Sequence, residues 1–264
     1  MIVKFIPNTN SRLLHMLEFK VCSIREAIAS PSTRTNGPFE NKSTKCAWLP
    51  LYEESKQIVD KYLTEITYLH HVVHIPSVRV LVDDLYRNLS SKNTVKLGHV
   101  SLLLAILAST AFFWTERDMD KPVFSSIAEA DAQSKIWMKI ALEVLEYSRV
   151  TNSEALEDIQ ATIIVSFLVC NIVGITSHAR YLFATATSMA WQLSLHRIDH
   201  PNNAVLDLPR PDSVQAEICR RVWWYLVATD WYVSHSSLLH QLLTQRSGGK
   251  GKYPKSQVYK RAPT

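Results

Sequence analysis

Glycine is scarce in this sequence, with 6 among 264 residues, too few for a collagen-like architecture or a Gly-rich phosphate loop. Cysteine is as thin. Cys22, Cys46, Cys170 and Cys219 share no short spacing, so neither a CxxC zinc knuckle nor a secreted disulfide framework fits, and a reducing compartment is the default. No GxSxG elbow and no HExxH helix occurs, which removes the commonest hydrolase signatures. Long apolar runs are also missing. Val100–Trp114 and Ala161–Thr176 each reach only about 15 residues where roughly 18–20 would cross a bilayer, and both contain Ser, Thr or Asn. The N-terminus interrupts its apolar residues with Lys4, Pro7 and Arg12 and has no signal core. Finally, acids are absent from Trp231 to Thr264, where six basic residues stand alone (Arg246, Lys250, Lys252, Lys255, Lys260, Arg261). The other 23 basic residues face 24 acidic ones, so the net charge of +5 belongs to the tail and not to a basic face on the fold.

What is present is apolar and periodic. With 47% apolar and 20% charged residues, a chain of this length buries roughly three quarters of its unfolded surface and needs no staples. Leu13, Leu14, Leu17 and Val21 could make a short amphipathic helix, but Ser30–Lys45 is turn and linker chemistry, so order is expected to begin near Leu49-Pro50. From there apolar residues recur at three and four: Ile58, Val59, Tyr62, Leu63 and Ile66, then, beyond Pro76, Val78, Leu81, Val82, Leu85 and Leu89. Two capping boxes are predicted, Ser126-x-x-Glu129 and Thr151-x-x-Glu154, the second opening a helix that runs toward Gly174. Ser177 is placed to cap the next helix, whose stripe is Ala179, Leu182, Phe183, Ala186, Met189, Ala190 and Leu193; a last helix buries Ile218, Val222, Tyr225, Leu226, Thr229 and Val233. No strand pattern stands out. The expectation is an all-α, irregular bundle of about seven helices: a disordered N-terminal extension over 1–47, one domain over 48–237, and a basic disordered tail over 238–264.

Three constellations could carry chemistry. Asp83-Asp84-Leu85-Tyr86-Arg87 resembles a magnesium-diphosphate motif, as in all-α terpene synthases, with Arg87 in the third carboxylate's place; a solvated helix face paired to nearby bases explains it better. His70/His74 and His196/His200 are four apart and could bite a metal, but no third ligand follows, and a place at helix ends, stabilised by the dipole, is the preferred reading. Arg220-Arg221-Val222-Trp223-Trp224 pairs guanidinium and indole groups as a nucleic-acid stacking surface does. On a helix, however, the indoles point about 100° apart, so packing between helices is expected, with both arginines paired to Glu217 or Asp230. No catalytic, cofactor-binding or metal-binding residue is assigned.

The run Ala179-Arg180-Tyr181-Leu182 through Trp191, His196 and Arg197, a Pro-bearing loop, and then Glu217, Arg220, Arg221, Trp223, Trp224, Leu226 and Asp230 resembles the fungal-specific transcription factor domain. This is the middle regulatory region of fungal zinc-binuclear-cluster regulators, among them the xylanolytic activators. Upstream, Leu49-Pro50, Tyr62-Leu63 and His70-His71-x-x-His74-Ile75-Pro76 look like that family's opening helices, Leu102–Ala111 like its core segment, and Glu157–Ala161 like its "LQA" helix, so the resemblance covers about residues 49–235. It implies a nuclear, non-enzymatic, all-α domain that controls transcription through protein contacts. It also implies zinc and DNA binding through a six-cysteine module, to which four scattered cysteines do not correspond; no zinc is expected in this chain. The family pattern continues past the Trp-Trp helix, whereas here the text changes at Leu238, which suggests a truncated domain with an uncovered apolar face. Partners are expected to be transcription-regulatory proteins or a second copy, with no membrane, no sequence-specific DNA binding, and at most weak salt-sensitive nucleic-acid contact by the tail. A stand-alone module that titrates a full-length regulator is the alternative, and a magnesium-dependent terpene-synthase-like enzyme a remote one.

Overall fold

The computed structural model describes residues 2–5, 16–29, 44–121, 123–151, 155–200 and 208–248. Eight α-helices are found among them: α1 (Ile24–Ala29), α2 (Tyr52–Lys61), α3 (Ile75–Ser90), α4 (Leu97–Phe112), α5 (Ile127–Val150), α6 (Leu156–Val173), α7 (Ser177–Gln192) and α8 (Val214–Gly248). With α1 only six residues long, the expected all-α bundle of about seven helices is what forms.

At the centre lies α4. Every residue from Val100 to Ala111 is buried, because the sequence there is apolar on all sides of the helix and leaves no face for water. Around it pack α5, α6 and α2, and α7 and α8 follow on α6. At 18 residues, α6 is long and apolar enough to span a bilayer, more than the sequence reading allowed, yet 61% of it is buried inside the protein. Its polar residues are satisfied there. Thr162 and Ser166 hydroxyls donate one turn back to Asp158 O and Thr162 O, and Gln160 Nε2 donates to Val72 O at 2.5 Å. It is the second core helix of the bundle.

The N-terminal part differs from expectation. Three strands, β1 (Ile2–Phe5), β2 (Met16–Val21) and β3 (Thr44–Leu49), form a sheet in the order β1-β2-β3, the first pair antiparallel and the second parallel. Leu17 and Val21, read from sequence as helical, belong to β2, where Leu17 and Phe19 are buried and Glu18 and Lys20 half-buried. That alternation is the strand signature, but six residues are too short a run for it to outweigh a three-four spacing. Leu13 and Leu14 lie outside the described residues, as does Pro31–Lys42. Order therefore precedes Leu49: Trp48 of β3 sits 4% exposed, its ring centroid 5.6 Å from that of Trp137 on α5.

Helix ends follow local hydrogen bonding. Ser126 caps α5 as predicted, accepting from Glu129 N at 3.1 Å, although the Glu129 carboxylate reaches Ser125 N and not its neighbour. Thr151 does not open α6. Its hydroxyl donates back to Tyr147 O and Ser148 O and closes α5, while the start of α6 is held by Asp158 accepting from Ala155 N at 3.1 Å. Glu154 is outside the described residues. The cap of α7 is Thr176, one residue earlier than Ser177, accepting from Ala179 N. Gly174 ends α6 at φ 82, where an L side chain would be strained. At the other end of the chain, α8 continues as helix to Gly248, eleven residues past Ser237, and so enters the segment assigned by sequence to the tail.

Asp158 does more than cap. Buried at 1% exposure, it accepts from Ser101 Oγ of α4 at 2.6 Å and from Ser148 Oγ of α5 at 2.9 Å, so one carboxylate joins three helices. Burial pushes its pKa up, and these donors only partly offset that. Asp158→Ala removes the acceptor from three buried or half-buried donors at once. A loss of about 2–4 kcal/mol in urea unfolding is expected, against about 1 kcal/mol for Ser148→Ala.

Candidate protein-interaction surface

The residues that sequence reading singled out converge where α7 hands over to α8. Ser194, at φ 57, turns the chain out of α7 into a 3₁₀ turn, Leu195–Arg197, that carries His196 and half-buried Arg197. The His196 ring lies 4.0 Å from Trp191 and 5.8 Å from Trp223, and the two indoles meet edge-on at 5.5 Å. His196, Trp191 and Trp223 thus form a triangle of rings in mutual contact, and the His196 Nδ1 is buried without a hydrogen-bond partner among the described residues.

Arg220 locks α8 to this corner. Its Nε donates to Asp199 at 2.7 Å, its Nη2 to Pro211 O at 2.6 Å, and its Nη1 reaches Glu217 at 3.4 Å. Arg221 Nε donates to Glu217 at 2.8 Å. Hydrogen bonding to Arg221, and then to Arg220, holds the Glu217 carboxyl below its usual range. The pairing with Glu217 is as expected. Asp230 is exposed and is not the arginines' partner; Asp199, 21 positions from Arg220 in sequence, takes that place.

The two tryptophans divide as helix geometry requires. Trp223 turns in against Trp191. Trp224 does not pack between helices: it stands 63% exposed, and with Val227 at 38% and Trp231 at 64% it forms a line spaced three and four residues apart on one face of α8. Large apolar side chains grouped in this way are costly in water and mark contact surfaces. The ridge was not legible in sequence: Trp224 was expected to pack between helices and Trp231 was not singled out, whereas both are exposed.

The other constellations make no site. Tyr52 OH donates to Asp83 at 2.8 Å and Arg87 to Asp84 at 2.5 Å, the solvated face expected. His74 precedes α3 and bonds Ser77 Oγ at 2.8 Å, so it lies at a helix start and not a C-terminal end. His70 is buried among aromatic rings, with neither ring nitrogen hydrogen-bonded among the described residues. No group of three or more His, Cys, Asp or Glu side chains with metal-binding geometry occurs among the described residues.

Over residues 59–237 the chain matches the family described as the fungal specific transcription factor domain. Similar curated proteins include a probable transcription factor, lepB, of Aspergillus flavus, 42% identical over 195 residues that make up 72% of this chain and 34% of that protein. The agnestins biosynthesis cluster transcription factor AgnL11 of Paecilomyces divaricatus is 31% identical over 72% of this chain and 27% of its own length. Transcription factor TAS2 of Pyricularia oryzae is 30% identical over 70% of this chain and 24% of its own length. The chain therefore spans about a third or less of the curated relatives it matches. No solved structure matches it.

Proposed function

Because the chain belongs to the fungal specific transcription factor domain family, we propose that it works as the regulatory region of a zinc-cluster-type transcription factor, in the nucleus, through contacts with other proteins and without catalysis. The observation that carries the mechanism is the ridge Trp224–Val227–Trp231. It stands on a helix tied to the end of α7 and the turn after it by the Trp223–Trp191 and Arg220–Asp199 contacts, which limits the entropy lost when the ridge is buried. Glu217 and Arg221 pair with each other at 2.8 Å beside it, which leaves the ridge rimmed by a neutralised pair.

Tethering the chain to a bacterial DNA-binding domain upstream of a reporter tests this. Reporter output in fungal nuclei is expected to differ from that of the DNA-binding domain alone. Replacing Trp224 and Trp231 together by serine is expected to bring it back to that level while the circular dichroism spectrum stays unchanged. Output indifferent to both substitutions would remove the ridge from the mechanism.

A further inference from the structure

Between the end of α2, the loop joining α4 to α5, and α6 lies an open cleft of about 990 Å³. Its inner surface is apolar: Phe113, Trp114, Ile66 and Phe167. Its backbone is irregular. Lys61 of α2 passes into a π-helical turn, Tyr62–Ile66, then a 3₁₀ turn, Thr67–Leu69, and His71 at φ 54. Such wide turns and left-handed non-glycine residues are energetically unfavourable and recur at ligand sites.

The charges lining the cleft are of two kinds. Lys61, buried, is committed to Asp118 at 2.9 Å and to Glu65. Lys121 is held more loosely: 40% exposed, it donates at 3.5 Å to the Asp118 carboxylate that Lys61 meets at 2.9 Å, and its ammonium stands 5.7 Å from the Trp114 ring centroid. Arg117 is exposed beside it and makes no ion pair among the described residues. Glu65 and Glu116 line the cleft too, so it is no general anion trap.

The geometry points to a binding site for a planar aromatic monoacid, its ring system laid on the half-buried Phe113 and Phe167 and its carboxylate taken by Lys121 and Arg117. The volume is that of a small-molecule site, apolar contact supplies the affinity, and the two cations fix orientation. Rim carboxylates repel a compact anion that brings no apolar body to offset them. This inference does not rest on the regulatory reading, since it concerns binding by the isolated chain and its failure leaves the reporter experiment standing.

Titration of the whole chain with 2-naphthoate, followed by calorimetry and by the indole N–H resonances, tests the site. Saturable 1:1 binding that shifts the Trp114 signal is expected, with no binding of inorganic phosphate. Lys121→Gln, a surface change that leaves folding intact, is expected to weaken 2-naphthoate about tenfold, the worth of one charge-assisted hydrogen bond, and to leave uncharged 2-acetylnaphthalene unaffected. Phe167→Ala is expected to weaken both ligands. Absence of saturable binding, equal affinity in the Lys121→Gln protein, or loss of binding on Trp224→Ser would each overturn the assignment, the last by placing the ligand on the α8 ridge.

Discussion

Asp118→Ala is expected to lower the unfolding free energy by about 3–5 kcal/mol. Lys61 ends α2 facing the core, its side chain 3% exposed. An ammonium there would be prohibitive alone. Asp118, 5% exposed, meets it at 2.9 Å from the 3₁₀ turn Glu116–Asp118, and Glu65 meets it from one turn further along its own segment. Asp118 is itself held by Thr115, whose amide donates at 3.0 Å and whose hydroxyl donates at 2.9 Å. Burial by itself would raise the Asp118 pKa, but the Lys61 ammonium and the two Thr115 donors outweigh it and bring the group to about 2. Removing the carboxylate leaves a buried cation facing only the half-exposed Glu65.

The double replacement Lys61→Met with Asp118→Leu should cost far less than Asp118→Ala alone, because neither charge is then left unpaired and Trp114 keeps an apolar neighbour. Urea unfolding of the two variants checks this. Equal losses would mean that the pair contributes through packing and not through charge. The native carboxylate also predicts an acid limb. Its folded pKa lies below its unfolded one, so the unfolded state binds the proton first as pH falls. About 2 kcal/mol present above pH 4 is expected to be lost as the pH drops toward 2.

How far the sequence revealed the fold follows from how local each determinant is. The stripes of α3 and α7, the all-apolar α4, Ser126 as a cap and Gly174 as a stop depend on residues within one or two turns of each other, and all were readable. The parallel pairing of Phe19 with Ala47 depends on residues 28 positions apart across a linker, and was not. The same holds at the surface. Glu217–Arg221 is an i,i+4 pair and was anticipated; Arg220–Asp199 and Lys61–Asp118 bridge separate elements and could not be. Periodicity marks α8 as amphipathic, but it cannot say that Trp224 and Trp231 face water, because that depends on α7 filling the opposite side. Family resemblance supplied the function class, and packing showed which tryptophans of α8 are exposed.

His70 is expected to make the fold sensitive to mild acid. It follows the 3₁₀ turn Thr67–Leu69 and is 4% exposed, its ring edge-on to Phe167 of α6 at 4.8 Å and tilted against Tyr225 of α8 at 6.0 Å. Neither ring nitrogen is hydrogen-bonded among the described residues, and the hydroxyl of nearby Tyr62 is equally unpartnered. No carboxylate offsets the cost of burying an imidazolium there. Burial, assisted slightly by the neighbouring His71, lowers its pKa from 6.5 to about 4. The folded chain therefore keeps His70 neutral while the unfolded chain takes up a proton near pH 6.5. Stability from this group is complete above pH 6.5 and is lost as the pH falls toward 4, by about 3 kcal/mol. His70→Phe keeps the aromatic contacts and removes the titration. Its stability at pH 7.5 should be close to that of the native chain, and its unfolding free energy should hardly change between pH 6.5 and 4. The difference between the two proteins isolates His70 from Asp118, which titrates below that window, and from Asp158, whose raised pKa acts with the opposite sign. A native chain as flat as the His70→Phe protein over this range would show that the imidazole finds a partner in solution, and that α6 and α8 do not close over it as tightly as the aromatic packing indicates.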